Sequence, residues 1–155
     1  MTLRKIVSGG QTGVDRAALD AALVLGFPCG GWCPAGRLDE NGVIPAHYPL
    51  SELKKGGFKR RTLQNVEDSD GTLIIYFDEL AGGTETTALH CIKRGKPYRL
   101  IDAREVPVDR AADLTLSFVR DRAVAVLNVA GPRASKNPEA YDYAFRAVTG
   151  LLAGV

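Results

Sequence analysis

"SGGQTGVD", Ser8 to Asp15, joins the apolar start "RKIV" to a stretch in which Val14, Ala17, Ala18, Ala21, Ala22 and Leu25 recur at helical spacing. A strand that hands over to a helix through glycines is the opening unit of an alternating α/β chain. Gly26 closes that helix, where a left-handed residue is wanted. The alternation continues outward. "PCGGWCP" reads as a short second strand ending at Pro34, and Ala35 to Leu50, rich in glycine and proline around Asp39-Glu40-Asn41, reads as a loop without regular structure. The spacing predicts a helix over residues 60–67 with Leu63 and Val66 inward, and "DSDG" turns out of it. "TLIIYF", Thr72 to Phe77, is a continuous apolar run of the kind buried on both faces of a parallel sheet.

Beyond it, a helix over 84–94 places Thr84, Thr87, Ala88, Cys91 and Ile92 on one face, Gly95 stops it, and "KPYRLID" is a fourth strand. Residues 108–121 fit two readings: "LTLSFV" suits a strand, while Ala111, Leu114 and Phe118 suit a helix. "AVAVLNVAG" is the fifth strand. Asn137 is expected to cap a last helix with Pro138 at its first position, and Tyr141, Ala144, Phe145, Val148 and Leu152 form its apolar stripe. Parallel pairing requires crossovers, so five strands alternating with helices predict one α/β domain over 1–155. It is a Rossmann-like, doubly wound domain, a mainly parallel sheet of about five strands flanked by helices.

The bulk composition narrows the function classes. The 155 residues are 45% hydrophobic and 25% charged, and 20 basic against 18 acidic residues leave a net charge of +2. That balance, with no extended basic stripe, speaks against nucleic-acid and membrane partners. The densest basic cluster, Lys59-Arg60-Arg61, is either a solvated face at a helix start or a functional patch. Met1 to Lys5 run straight into the first strand without a leader's apolar region, and no run approaches the roughly 18 apolar residues of a membrane span. Three cysteines, Cys29, Cys33 and Cys91, have no framework spacing, which predicts a reducing, cytoplasmic location.

In open parallel sheets, ligands bind beyond the carboxyl ends of the strands. The glycine-rich segments "SGGQTGVD", "GGWCPAGR", "DELAGGTETT" and "GPRASKNP" all fall there, and three of them enter helices, whose free amides and positive dipole end favour anions. Together they predict an anion or phosphate site. Neither G-x-x-x-x-G-K-[ST] nor G-x-G-x-x-G is present, so nucleoside triphosphate hydrolysis has no support.

The candidate ligand-binding residues begin with Gly9, Gly10 and Gly13, which let backbone approach a ligand, and with Gln11 and Thr12 as side-chain donors. Gly82, Gly83, Thr84 and Thr86 form the second glycine loop. Asp15 is read as a helix cap or a catalytic acid, and Arg16 as a phosphate contact or the partner of Asp20. Arg133 is placed to clamp an oxyanion bidentately. Trp32 either stacks on a planar ring or packs in the fold. Asp78 and Glu79 are either ribose or acid–base groups or a solvated loop, and His90 is read as structural. Cys29 and Cys33 lack a partner pair, so no metal site is predicted.

The segments "SGGQTGVDRAALDAAL", "GWCPAGR", "RTLQNVEDSDGTLI", "GGTETT" and "LNVAGPRAS" together resemble the family named "putative molybdenum carrier", part of the SLOG superfamily. That superfamily also includes the LOG phosphoribohydrolases and the DNA-processing DprA proteins. The resemblance implies a Rossmann-like fold, a pocket at the glycine-rich edge, a homo-oligomer, and molybdenum cofactor as a ligand whose phosphate and planar pterin suit such a pocket. The LOG pattern G-G-x-G-T-x-x-E has its glutamate three residues after the threonine, whereas here Glu85 directly follows Thr84, and a helix turns about 100° per residue. The leading expectation is therefore a non-enzymatic carrier of a phosphorylated, ring-containing small molecule. The alternatives are an N-glycoside hydrolase using Glu85 or Asp78, and a nucleotide sensor.

Overall fold

The computed structural model describes residues 2–155; Met1, the first residue of the expected leaderless N-terminus, lies outside them. The elements in chain order are β1 (Lys5–Val7), α1 (Val14–Val24), β2 (Cys29–Gly30), β3 (Trp32–Cys33), β4 (Leu38–Asp39), β5 (Gly42–Val43), β6 (Ser51–Glu52) and α2 (Phe58–Glu67). They continue with β7 (Gly71–Tyr76), α3 (Gly82–Arg94), β8 (Tyr98–Asp102), α4 (Val108–Asp121), β9 (Val126–Ala130) and α5 (Ala140–Ala153). Five strands form one all-parallel sheet in the order β2-β1-β9-β7-β8, with Ile6 beside both Cys29 and Leu127 and Leu73 beside Val129. Helices α1, α4 and α5 pack together on one face, and α2 and α3 pair on the other. This is the expected α/β, doubly wound arrangement.

Alternation along the strands separates two environments. Ile6, Leu73, Ile75, Leu127 and Val129 enter the main core with the small residues of α1 and α5, among them Ala17, Ala21, Ala144 and Ala147. The intervening residues Thr72 and Asn128 are neighbours in register, and the Asn128 amide donates to the Thr72 hydroxyl at 3.3 Å, a polar pair inside otherwise apolar strands. The ambiguous segment 108–121 is helix α4. Its buried residues Ala111, Ala112, Thr115, Phe118 and Val119 follow the 3.6-residue period, which outweighs the strand propensity of "LTLSFV".

Several local expectations are corrected. "PCGGWCP" is not one strand. Gly31 has φ +125° and a Cβ there would run into the Ser8 backbone, so the chain leaves the main sheet and β3 pairs in parallel with β6 instead. The stretch expected as structureless loop holds the antiparallel hairpin of β4 and β5. On α2 the buried residues are Arg61, Asn65 and Val66, with Leu63 only half-buried, and on α3 Ile92 is exposed. Asn137 does not cap α5: the helix begins at Ala140, Glu139 is its cap residue and no side chain bonds there. Among the described residues no helix is long and apolar enough to cross a membrane.

Candidate functional site

At the carboxyl edge of the sheet a cavity of about 690 Å³ opens between α2 and α3 and the loops that follow β1 and β9. Its size is that of a small-molecule site. The order β2-β1-β9-β7-β8 places the loops after β1, β9 and β7 side by side, so segments far apart in the chain share one edge.

Of the predicted residues, Gly9, Gln11, Asp15, Gly82, Gly83, Thr84, Thr86 and Arg133 line the cavity. Gly10, Thr12, Gly13, Arg16, Trp32, Glu85 and Asp78 do not. Gly10 and Gly13, both at φ +80°, shape the loop: a Cβ on Gly10 would strike the Leu50 side chain, and one on Gly13 the Pro132 carbonyl. Arg16 neither faces the cavity nor pairs with Asp20. Its guanidinium donates to Asp39 at 2.6 Å and to the Gly10 carbonyl at 2.9 Å, and lies over the Tyr48 ring. Asp20 is claimed by the Tyr48 and Tyr141 hydroxyls instead. The Trp32 indole donates to Asp68 at 2.7 Å. Asp78 stands in an adjoining hollow of about 340 Å³ that shares Thr84, Pro132 and Lys136 with the main cavity. Glu85 points outward on α3.

Asp15 does not cap α1, whose cap residue Gly13 has no side-chain partner. It is buried beside Arg61, Oδ2 to Nη1 3.7 Å, and both line the cavity. Burial pushes the Asp15 carboxyl up to about 6, against the pull of the Arg61 charge and the Gln11 backbone amide. Burial likewise lowers Arg61, and Asp15 restores part of the loss. Arg61 is the buried member of the basic cluster; its Nη1 donates to the Gly9 carbonyl at 2.8 Å.

Glu40, from the hairpin expected to be structureless, is a centre of the site wall. Its Oε1 accepts from the Thr12 hydroxyl at 2.6 Å and from the Ser135 amide at 3.2 Å, and Arg133 stands 3.2 Å from Oε2. The Gln11 side-chain oxygen accepts from the Glu40 amide at 2.9 Å, so the first glycine loop, the hairpin and the β9–α5 loop are bonded into one unit. Burial raises the Glu40 carboxyl, but the bonds from Ser135 and Thr12 and the Arg133 charge together hold it below the usual carboxylate range. The local sequence around Glu40 carries no such signal, since three segments create the site.

The cavity is predominantly cationic. Lys59, Arg61, Lys93, Arg133 and Lys136 line it against the two carboxylates Asp15 and Glu40. Helix α3 enters with its cap residue Ala81 extended and no side-chain cap, leaving first-turn amides free. Gly82, at φ +57°, has the Lys136 ammonium 3.3 Å from where a Cβ would stand, which brings that cation against the helix start. His90 also lines the cavity with its Nε2 buried and without a protein partner among the described residues. Burial, with the charges of Lys59, Lys93 and Arg94, lowers its pKa, so the imidazole is neutral at pH 7. Asn128 in the apolar fifth strand was a legible anomaly, because a buried amide needs partners.

Comparison with known proteins bears on the fold as a whole. A crystal structure named "Putative molybdenum carrier protein", from Syntrophus aciditrophicus SB, is 44% identical, covers 97% of this chain and 96% of its own, and superposes with a TM-score of 0.95. No curated protein matches the chain. Residues 6–152 match the circularly permutated YpsA SLOG family. With the match running from β1 into α5, the chain belongs to the circularly permutated YpsA SLOG family.

Proposed function

We propose that this protein binds a phosphorylated, ring-containing small molecule without transforming it, with molybdenum cofactor as the named candidate. One observation carries the reading: the uncapped start of α3 meets Lys136 at the edge of a cavity that Arg133 also lines and whose buried wall holds the neutral amides of Gln11 and Asn128. Free helix amides and cationic side chains suit a phosphate, and carboxamides suit the edge of a heterocycle. A pterin phosphate has both parts, so these residues fit the group. When bound, the cofactor would supply the metal through its own sulfur ligands. The name of the 44% identical neighbour supports a molybdenum-related ligand.

The hydrolase alternative relied on Glu85 or Asp78 as acid–base group. Neither lines the main cavity, so the acid–base groups that this alternative names do not face a ligand bound there. The test is mass spectrometry of the small molecules released from the purified protein, with molybdenum analysis of the same sample. A pterin phosphate at a substantial fraction of the protein is the expected result. Release of free base from nucleoside 5′-monophosphates, lost in Asp15→Ala, would overturn the carrier reading.

A further inference from the structure

The anion-and-ring reading above, on which this step rests, leaves open which end of the ligand lies deep. Three cavity-lining side chains settle what the deep wall offers. Asp15 is 7% exposed, its nearest cation is Arg61 at 3.7 Å, and it accepts from the backbone amides of Gln11 and Gly9 but from no side chain among the described residues, so part of the acceptor capacity of its two oxygens is unused. Gln11, 9% exposed, uses its oxygen on the amides of Thr12 and Glu40 and keeps Nε2 without an acceptor among the described residues. Asn128, 3% exposed, uses one end of its amide on Thr72 and leaves the oxygen free in the same sense. Buried polar groups are ordinarily satisfied, so unused capacity facing a cavity marks where a ligand bonds.

We infer that Asp15, Gln11 and Asn128 form the recognition floor for a heterocycle presenting two adjacent N–H donors beside a carbonyl, the 2-amino-4-oxopyrimidine edge shared by pterins and guanine. An ionised carboxylate only accepts, and its two oxygens take a parallel pair of N–H bonds. The Gln11 amide supplies the N–H for the ring carbonyl, and the Asn128 oxygen takes a further donor. Arg61 already balances the Asp15 charge, so a neutral donor edge completes the site where a cation would leave excess charge. Adenine sets an unprotonated ring nitrogen beside its amino group and would face the carboxylate with a lone pair. Phe58 and His90, on the cavity wall, provide rings beside which a planar ligand packs. The phosphate end then reaches Lys136 and the start of α3.

The experiment is titration calorimetry of the full chain with two matched pairs, GMP against IMP and pterin-6-carboxylate against lumazine-6-carboxylate, with pyrophosphate as the anion probe. Each pair differs at the ring amino group. In at least one pair the amino-bearing member is expected to bind about tenfold tighter or more, and that pair identifies the source of the edge. The ratio is expected to collapse toward one in Asp15→Asn and to shrink in Asn128→Ser. Equal affinities within both pairs, alongside measurable pyrophosphate binding, overturn this inference and leave the anion reading standing. Failure of all five probes to bind the wild-type chain overturns both. A ratio that persists in Asp15→Asn with a native circular dichroism spectrum overturns the role of Asp15, and the wild-type ratios decide the matter if that variant does not fold.

Discussion

Arg61 Nη1 donates to the Gly9 carbonyl at 2.8 Å, so a side chain on α2 closes the first glycine loop, 52 residues earlier. The same nitrogen lies 3.7 Å from the Asp15 carboxylate, with both side chains 9% exposed. Removing one partner of a buried pair leaves the other charge uncompensated. Arg61→Met is expected to lose on the order of 3 kcal/mol of stability in urea unfolding. A loss below about 1 kcal/mol would show that Arg61 behaves as an ordinary surface charge.

Asp15 gives a pH signature of definite sign. Its folded-state pKa of about 6 lies above its ordinary value of 3.8, so across that window the folded form binds more protons than the unfolded one. Stability contributed by the protonated form is present below pH 4 and is lost as pH rises toward 6. The total is about 3 kcal/mol at 1.36 kcal/mol per unit. Wild-type Tm minus Asp15→Asn Tm is expected to fall steadily over that range. A flat difference would place the carboxyl in a solvated environment.

Glycine substitutions separate strain from space. Gly26 and Gly13 both have positive φ, but a Cβ on Gly26 meets nothing within 4 Å, whereas one on Gly13 collides with the Pro132 and Arg133 backbone. Gly26→Ala is expected to cost about 1 kcal/mol, the left-handed penalty alone. Gly13→Ala adds overpacking and is expected to cost about 3 kcal/mol or more in the same denaturation assay. Equal costs would remove the close approach of the two loops as the cause.

The cationic wall yields opposite signs for two neighbours. Lys136→Ala is expected to weaken pyrophosphate binding several-fold, increasingly so at low salt, because Lys136 stands against the free start of α3. Glu40→Gln is expected to strengthen it, since Glu40 holds Arg133 at 3.2 Å and carries one of the two acidic groups on the wall. Calorimetry at two salt concentrations checks both. Weaker binding in Glu40→Gln with the fold intact would mean that Arg133 must be held by Glu40 to act.

Trp32 supplies a control. Its indole bonds to Asp68 away from the cavity, so Trp32→Phe is expected to leave pyrophosphate affinity unchanged and to cost about 1 kcal/mol or less. A clear loss of affinity would return Trp32 to the ligand.

Elements whose signal is local are legible from the amino-acid order alone. "TLIIYF" is legible as a buried strand because it is a continuous run of β-branched and apolar residues with only Thr72 clearly polar, and α1 because its alanines keep a 3.6-residue period. The glycine loops, and hence the edge that carries the candidate site, were legible because their signal is local too. Tertiary structure decided which of their residues meet. Gly9, Asp15, Glu40, Arg61 and Asn128 share one cavity only because β1 lies between β2 and β9 and α2 folds back over that edge. Strand order depends on non-local pairing, which no local period encodes. The same reason explains Glu40 and Arg61: each looks like a solvated charge in its own segment, and each becomes a site residue when a distant backbone supplies its partner.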